Sequence, residues 1–165
     1  MNYTFEDSIY KRKYSTEQLD QLKKFWKKKR VSTIDKDKDL LTHFKVLPNC
    51  TFFCSISDNL EKIPYLPKCK MFLNNNNKKI KHLKPLPECK TFSCRKTSIT
   101  KLPSLPNAEF VQCSKNKLTS IGKLPKCNNL DCHSNPITSI AKNTNLKKID
   151  YEDTPLYKKH FHHKN

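Results

Sequence analysis

Glycine is nearly absent from this chain, because Gly122 is the single glycine among 165 residues. Phosphate-binding loops, dinucleotide-binding turns and nucleophile elbows all need glycine where the backbone approaches a ligand closely. The sequence therefore excludes glycine-dependent nucleotide chemistry. A length of 165 residues fits one small domain and excludes a TIM barrel or a two-domain enzyme.

Long hydrophobic runs are missing as well. No segment approaches the roughly 18 apolar residues that span a membrane. The start, MNYTFEDSIYKRK, contains acids and lacks the apolar stretch of a signal peptide. We therefore expect a soluble, monomeric, intracellular protein with no membrane span, in the cytoplasm or alternatively in the nucleus. In a reducing compartment, its eight cysteines need an explanation other than a disulfide framework.

Positive charge is abundant, with 33 Lys and Arg against 15 Asp and Glu and a net charge of +18. Only Arg12, Arg30 and Arg95 are arginines, asparagine is frequent, and Ala108 and Ala141 are the only alanines. An AT-rich genome imposes this amino-acid usage. Part of the basicity therefore reflects codon usage, and the charge alone is weak support for an anionic partner.

A repeat of 19 to 20 residues governs most of the chain. Leu-Pro dipeptides mark it at Leu47-Pro48, Leu66-Pro67, Leu86-Pro87, Leu105-Pro106 and Leu124-Pro125. With each Leu as position 0, position 3 holds Cys50, Cys69, Cys89, Ala108 and Cys127, and position 6 holds Phe53, Phe72, Phe92, Val111 and Leu130. Position 11 holds Asp58, Asn77, Thr97, Asn116 and Asn135. The pattern continues on both sides, from Val31 and Ile34 to Leu156, and predicts about seven coils over residues 31–157.

The pattern resembles the leucine-rich-repeat family, whose signature places Leu and Asn at fixed offsets within 20 to 29 residues. Its Leu-Pro pairs are most similar to the short repeats of bacterial effector proteins of the YopM and IpaH kind, although cysteine often replaces leucine here. The resemblance implies an α/β repeat solenoid, a short right-handed horseshoe with a parallel sheet on its concave face. Together with the AT-rich usage, it suggests a large DNA virus or another AT-rich source, and an effector or adaptor acting on host proteins, in the host cytoplasm if viral.

The cysteines fit the interior of such a solenoid. Positions 3 and 8 point inward, so we interpret their thiols as small buried hydrophobic side chains. Zinc is the first alternative, but zinc sites commonly use C-x-x-C pairs, whereas Cys89/Cys94 and Cys127/Cys132 are five residues apart. Disulfides between neighbouring coils are the second alternative. Cys54, at the outward position 7, is the thiol expected to react.

The two ends of the chain differ from the repeat. Residues 1–14 are expected to be flexible, and residues 15–30 to form a helix that begins with the Ser15 to Gln18 capping box and covers the first coil. The alternative for this helix is a nucleic-acid, nuclear-import or anionic-membrane patch built on its lysines. Residues 158–165 are expected to form a basic tail with His160, His162 and His163, which gives metal binding as a weaker alternative.

The predicted concave face comes from positions 5, 7, 9 and 10, which solenoids commonly use for binding. Its candidate protein-binding residues are Phe52, Cys54, Ile56, Met71, Leu73, Arg95, Lys96, Phe110, Gln112, Lys115 and His133. The face changes from apolar through basic to acidic along the solenoid. The apolar residues predict a protein ligand, and the basic residues predict that its segment is acidic. The alternatives are a one-residue register shift at Phe52 and Met71, or coverage of the first coils by the N-terminal segment.

Two further function classes remain. Weak, salt-sensitive binding to nucleic acid or an anionic surface is expected of a chain with a net charge of +18. Catalysis would need paired carboxylates beside a histidine, and only Asp131, His133 and Asp150 fit that description. We read that group as surface hydrogen bonding, and so expect no enzyme activity, no catalytic residue, no metal and no cofactor.

Overall fold

The computed structural model describes residues 2–32, 38–56, 60–143 and 145–162. Its helices are α1 (Phe5–Ser8), α2 (Thr16–Trp26), α3 (Lys38–Leu41) and α4 (Pro155–His162). Its strands are β1 (Arg30–Ser32), β2 (Phe52–Ser55), β3 (Met71–Asn74), β4 (Thr91–Ser93), β5 (Phe110–Gln112), β6 (Ser120–Ile121), β7 (Asn129–Asp131), β8 (Ser139–Ile140) and β9 (Lys148–Asp150). Ile34, Asp58 and His163, which the sequence analysis used, lie outside the described residues.

The predicted repeat solenoid is confirmed. Seven strands form one sheet in the order β1-β2-β3-β4-β5-β7-β9, and each neighbouring pair is parallel. The chain therefore makes about six turns between its first and last strand. The short strands β6 and β8 pair in parallel in a second sheet. Each turn advances by one repeat, so equal repeat positions lie side by side.

A column of aromatic rings fills the core behind β2, β3 and β4. Phe53, Phe72 and Phe92 are in register and fully buried. Their rings stack with centroids 5.3 and 5.4 Å apart and interplanar angles of 12° and 7°. Val111 and Leu130 continue the column in β5 and β7. Position 6 of the repeat is thus the central line of the core.

Asparagine side chains close the turn that follows the strand. The Asn116 amide donates to the carbonyl oxygens of Cys94 at 2.6 Å and Cys113 at 3.0 Å, joining two coils. The Asn135 amide donates to Cys113 and Cys132, each at 3.0 Å, and its own oxygen accepts from the Asn116 amide N–H at 3.2 Å. These buried side chains satisfy backbone groups that have no strand partner, as position 11 predicted.

Left-handed backbone recurs at position 10, just before the asparagine. Asn76, Lys96, Lys115, Ser134 and Asp153 have φ angles between 51° and 60°. Glycine is the usual residue for this conformation, and a side chain other than Asn or Asp pays a steric cost there. Because this chain has almost no glycine, lysine and serine occupy three of these five turns.

The N-terminal segment packs onto the first coils. A Thr4 capping box begins α1, and the Ser15 capping box begins α2 as predicted. Leu22 and Phe25 of α2 are buried in the same core cluster as the solenoid. The sequence analysis assigned no helix to residues 1–14; its motif search looked for Glu or Gln at the third helical position, where α1 has Asp7. Trp26 Nε1 donates to Ser8 Oγ at 2.9 Å, which ties the two helices together.

The C-terminal residues are helical as far as His162, within the segment for which the sequence predicted a polar tail. Thr154 Oγ1 accepts from the backbone N–H of Tyr157 at 3.0 Å, and Pro155 occupies the first helical position. Both are favourable at a helix start. In the part of the chain that the structure describes, no helix is long and apolar enough to cross a membrane.

Replacing Phe72 tests the aromatic column. We expect Phe72→Ala to lower the free energy of unfolding by about 3–5 kcal/mol, since it leaves a cavity between two stacked rings. Phe72→Leu is the matched control, because Leu130 occupies the same position in β7; its loss should be about half as large or less. Urea denaturation measures both. Equal losses would contradict a packing role for the ring.

Replacing Lys115 tests the left-handed turns. Lys115→Asn should raise the free energy of unfolding by about 0.5–1 kcal/mol, because asparagine tolerates positive φ better than lysine does. Lys117→Asn is the control, as Lys117 is exposed nearby without a positive φ. If both variants change stability equally in urea denaturation, the gain comes from charge rather than from backbone conformation.

Candidate functional site

The face of the seven-stranded sheet that points away from the core, called here the outer sheet face, carries the predicted binding residues. Alternate residues of a strand point to opposite sides, and the burial of Phe53 and Phe72 fixes which side is which. Phe52 and Met71 therefore point outward, so the one-residue register shift does not occur. Of the predicted residues, Ile56, Met71, Lys96, Phe110, Gln112 and Lys115 are exposed, whereas Phe52, Cys54, Leu73, Arg95 and His133 are half-buried.

Apolar side chains meet at the first two full coils. Phe52 pairs with Met71 across β2 and β3, and Cys54 pairs with Leu73. Ile56 follows β2 with 55% of its surface exposed, and Met71 is 39% exposed. The strands hold these side chains at fixed spacing, since neighbouring parallel strands lie about 4.8 Å apart. We call this group of five residues the apolar patch.

A cation lies on one edge of the apolar patch. Arg30, in register with Phe52 on β1, places its guanidinium carbon 4.1 Å from the centroid of the Phe52 ring. Such a cation–π contact stabilises both side chains and covers part of the ring. The sequence analysis assigned Arg30 to the lysine-rich helix and missed this contact. The register between β1 and β2 supplies the signal, because Arg30 occupies repeat position 5.

Polar side chains separate Phe110 from the apolar patch. Thr91 of β4 lies between Met71 and Phe110, and Ser93 lies between Leu73 and Gln112. Ser93 Oγ donates to Asn75 Oδ1 at 3.0 Å. The 46% exposed Phe110 ring is therefore a separate apolar point two strands from Met71. The structure brings four of the five proposed apolar anchors together and places the fifth apart.

Basic side chains occupy the centre of the face. Arg95 Nε donates to Ser114 Oγ at 3.2 Å and lies 3.9 Å from Asp131 Oδ2, so part of its charge is already matched within the chain. Lys96 and Lys115 are exposed at neighbouring turns, where backbone hydrogen bonds to Ser114 and His133 hold them. These two ammonium groups are the cations of this region most accessible to a partner.

Acidic side chains occupy the far end of the face. Asp131 and Asp150 are register partners on β7 and β9, and His133 lies two residues after Asp131. One ligand atom from each residue lies within 4.8 Å of the other two. His133 Nε2 is 3.7 Å from Asp131 Oδ1. The sequence analysis had noted that these three residues meet across adjacent strands, and the register brings them together.

The cysteine thiols are unreactive groups of the interior, apart from one. All eight are free, and seven are buried. Burial raises the pKa of Cys50, Cys89 and Cys132 to about 12 and that of Cys94 to about 11. Cys54 is half-buried on the outer sheet face, and partial burial raises its pKa as well. It is the most accessible thiol, but nothing around it favours the thiolate.

A cleft lies outside the outer sheet face. Its volume is about 780 Å³, and its lining comes from four segments, 10–12, 41–45, 60–64 and 79–84. None of the eleven predicted binding residues contributes to it. Leu60, Ile63 and Leu83 line it together with lysines. Sequence reasoning missed it because the N-terminal segment forms one wall by folding back onto the coils.

The buried thiols predict a loss of stability at alkaline pH. A thiol with a raised folded-state pKa stabilises the fold fully below its unfolded pKa near 9, and this contribution is lost as pH rises from about 9 towards 12. The limiting slope is about 1.4 kcal/mol per pH unit for each such thiol. Cys89→Ala should reduce the slope by about one such step, and Ala108 at the same repeat position indicates that alanine fits. Urea denaturation from pH 8 to 11 measures it, and an unchanged slope in Cys89→Ala would refute the assignment.

Comparisons with protein-family models, with curated proteins and with solved structures found no match for this chain. Its function is therefore argued from the side chains described above, on a parallel solenoid whose outer sheet face is apolar at one end, basic in the middle and acidic at the other.

Proposed function

We propose that this chain is a non-enzymatic protein-binding module of the leucine-rich-repeat type, which holds a protein ligand on its outer sheet face. The observation that carries the proposal is the apolar patch: Phe52, Cys54, Ile56, Met71 and Leu73 lie together on two rigid strands and face outward. Exposed apolar groups with a charged border are typical of protein-binding surfaces.

The leucine-rich-repeat assignment is part of this proposal. The buried asparagines at position 11 and the 19- to 20-residue period support it. In this family the sheet lies on the concave side of a right-handed horseshoe, and we propose the same shape here. Helix α2 would then act as the N-terminal cap, which the burial of Leu22 and Phe25 in the common core supports. A cap covers the apolar end that a first coil otherwise exposes.

The charges beside the apolar patch suggest the chemistry of the ligand. Arg30 borders the patch on one side, and Arg95, Lys96 and Lys115 follow it on the other. An acidic segment with one or two large apolar side chains would match this face, since complementary charge raises the association rate and selects between partners. Asp131 and Asp150 repel the same segment at the far end, which gives it a direction. An effector or adaptor role towards host proteins is the biological form of this proposal.

A second candidate function is binding to a polyanion. Lys23, Lys24, Lys27, Lys28 and Lys29 are exposed on or just after α2. Lys23 and Lys28 also lie over the Phe5 and Phe25 rings at 5.9 and 5.2 Å from the centroids. A helix with this many cations attracts nucleic acid or an anionic membrane surface, and such binding weakens steeply with salt.

Disrupting the apolar patch separates the two candidates. Ile56→Asp combined with Leu73→Asp should abolish capture of a protein partner from a eukaryotic lysate after nuclease treatment and a high-salt wash. Two buried charges at the centre of an interface cost more than about 2 kcal/mol, so capture falls by at least roughly 30-fold. The captured partner is identified and then tested as a purified protein against the same variants.

The matched control is Thr119→Asp combined with Phe161→Asp, which adds the same two charges at exposed positions outside the seven-stranded sheet. This control should bind as the unchanged chain does. Capture that survives in the Ile56/Leu73 variant would refute the proposed surface. Capture that disappears with nuclease or salt in every variant, and with Lys23, Lys24 and Lys27 changed to Gln, would favour the polyanion function instead.

A further inference from the structure

Three possible metal ligands share the C-terminal end of the outer sheet face. Asp131 and His133 point the same way because they are two residues apart at the end of β7, and Asp150 is the register partner of Asp131 on β9. Their ligand atoms all lie within 4.8 Å of one another. Two carboxylate oxygens and an imidazole nitrogen therefore converge from adjacent strands, and no loop has to move to assemble them.

The hydrogen bonds of His133 decide which ring nitrogen is available. Nδ1 lies 2.9 Å from Ser134 Oγ, and Ser134 Oγ donates to Asp153 Oδ2 at 3.3 Å. Because the serine proton is used on Asp153, the Ser134 oxygen accepts from Nδ1–H. In the neutral ring, Nε2 then carries the lone pair. A metal-binding histidine is commonly oriented in this way, by an N–H donated from its other nitrogen.

The oxygen that faces Nε2 has no partner of its own. Asp131 Oδ1 is buried without a hydrogen-bond partner among the described residues, and it lies 3.7 Å from His133 Nε2. Asp131 Oδ2, in contrast, accepts from Ser114 Oγ at 3.2 Å and lies 3.9 Å from Arg95 Nε. A buried carboxylate oxygen without a partner is costly. Two lone pairs pointing at each other need a cation between them.

We propose that Asp131, His133 and Asp150 bind a divalent transition-metal ion of the zinc class. The ion would meet Asp131 Oδ1, His133 Nε2 and an oxygen of Asp150, and water would complete its coordination. Two aspartates offset the charge of a divalent ion, and Arg95 stays on the opposite oxygen of Asp131. This inference does not depend on the proposed protein-binding function.

The ligand types narrow the choice of ion. Calcium and magnesium prefer all-oxygen sites, whereas imidazole together with carboxylate suits zinc and its neighbours in the first transition series. Zinc to nitrogen and oxygen distances are about 2.0–2.2 Å. The present spacing therefore requires the side chains to close in by about an ångström or less, which rotation about their terminal bonds provides.

Zinc binding to the full-length, reduced, tag-free chain tests the proposal. In titration calorimetry with zinc chloride at neutral pH, we expect one ion per chain at this site. His133→Ala and Asp150→Asn should each weaken this binding at least as much as the about 10- to 100-fold caused by loss of an outer-shell partner. Asp153→Asn, which disturbs only the Ser134 contact behind His133, should weaken it by about tenfold.

Control variants exclude the other zinc ligands of the chain. His160, His162 and His163 changed together to Gln should leave the site intact, as should Cys54→Ser. With cobalt in place of zinc, the absorption spectrum should lack a thiolate charge-transfer band. Urea denaturation without metal checks that His133→Ala and Asp150→Asn are folded. Equal affinity in the unchanged chain and both of these folded variants, zinc lost only with the tail histidines or Cys54, or no zinc binding at all, would overturn the proposal.

Discussion

The parallel pairing of each coil with the next, without slippage, is the constraint on which the rest of this structure depends. A turn of 19 or 20 residues returns the chain to the same register, so Phe53, Phe72 and Phe92 stack and the amide of Asn116 reaches the Cys94 carbonyl of the preceding coil. A shift by one residue would expose the rings and bury the outward side chains, since strand residues alternate between faces. The binding face and the core are thus two consequences of one register.

The turns meet this constraint with little help from glycine. Five residues at position 10 adopt positive φ, and buried side-chain amides at Asn77, Asn116 and Asn135 satisfy carbonyl groups near these turns. The hydrogen bonds of the turn offset the steric cost of lysine or serine in the left-handed region. Cysteine has a comparable role in the interior, where the thiols of Cys50, Cys69 and Cys89 each lie 3.2 Å from a carbonyl oxygen. Small side chains there allow adjacent coils to approach closely.

The outer sheet face separates different chemistry along one rigid surface. The apolar patch lies at β2 and β3, the accessible lysines lie at the turns after β4 and β5, and the Asp131, His133 and Asp150 group lies at β7 and β9. Because these side chains project from paired strands, their spacing is fixed before any ligand arrives, which lowers the entropy lost on binding. A protein segment and a metal ion would meet different coils of the same sheet.

The sequence by itself determined the solenoid, its period and the inward columns, because a repeated side chain can be buried only if every coil has the same shape. It also identified α2 from its capping box and placed Phe52, Ile56, Met71 and Leu73 on one side of the sheet. Only the tertiary structure decided the contacts between distant segments: Arg30 on the Phe52 ring, Thr91 and Ser93 between the apolar patch and Phe110, and the helix α1 packed against Trp26. It also decided the hydrogen-bond direction that leaves His133 Nε2 facing Asp131. These features depend on side-chain rotamers and on residues brought together across coils, and a repeat pattern specifies positions but not rotamers.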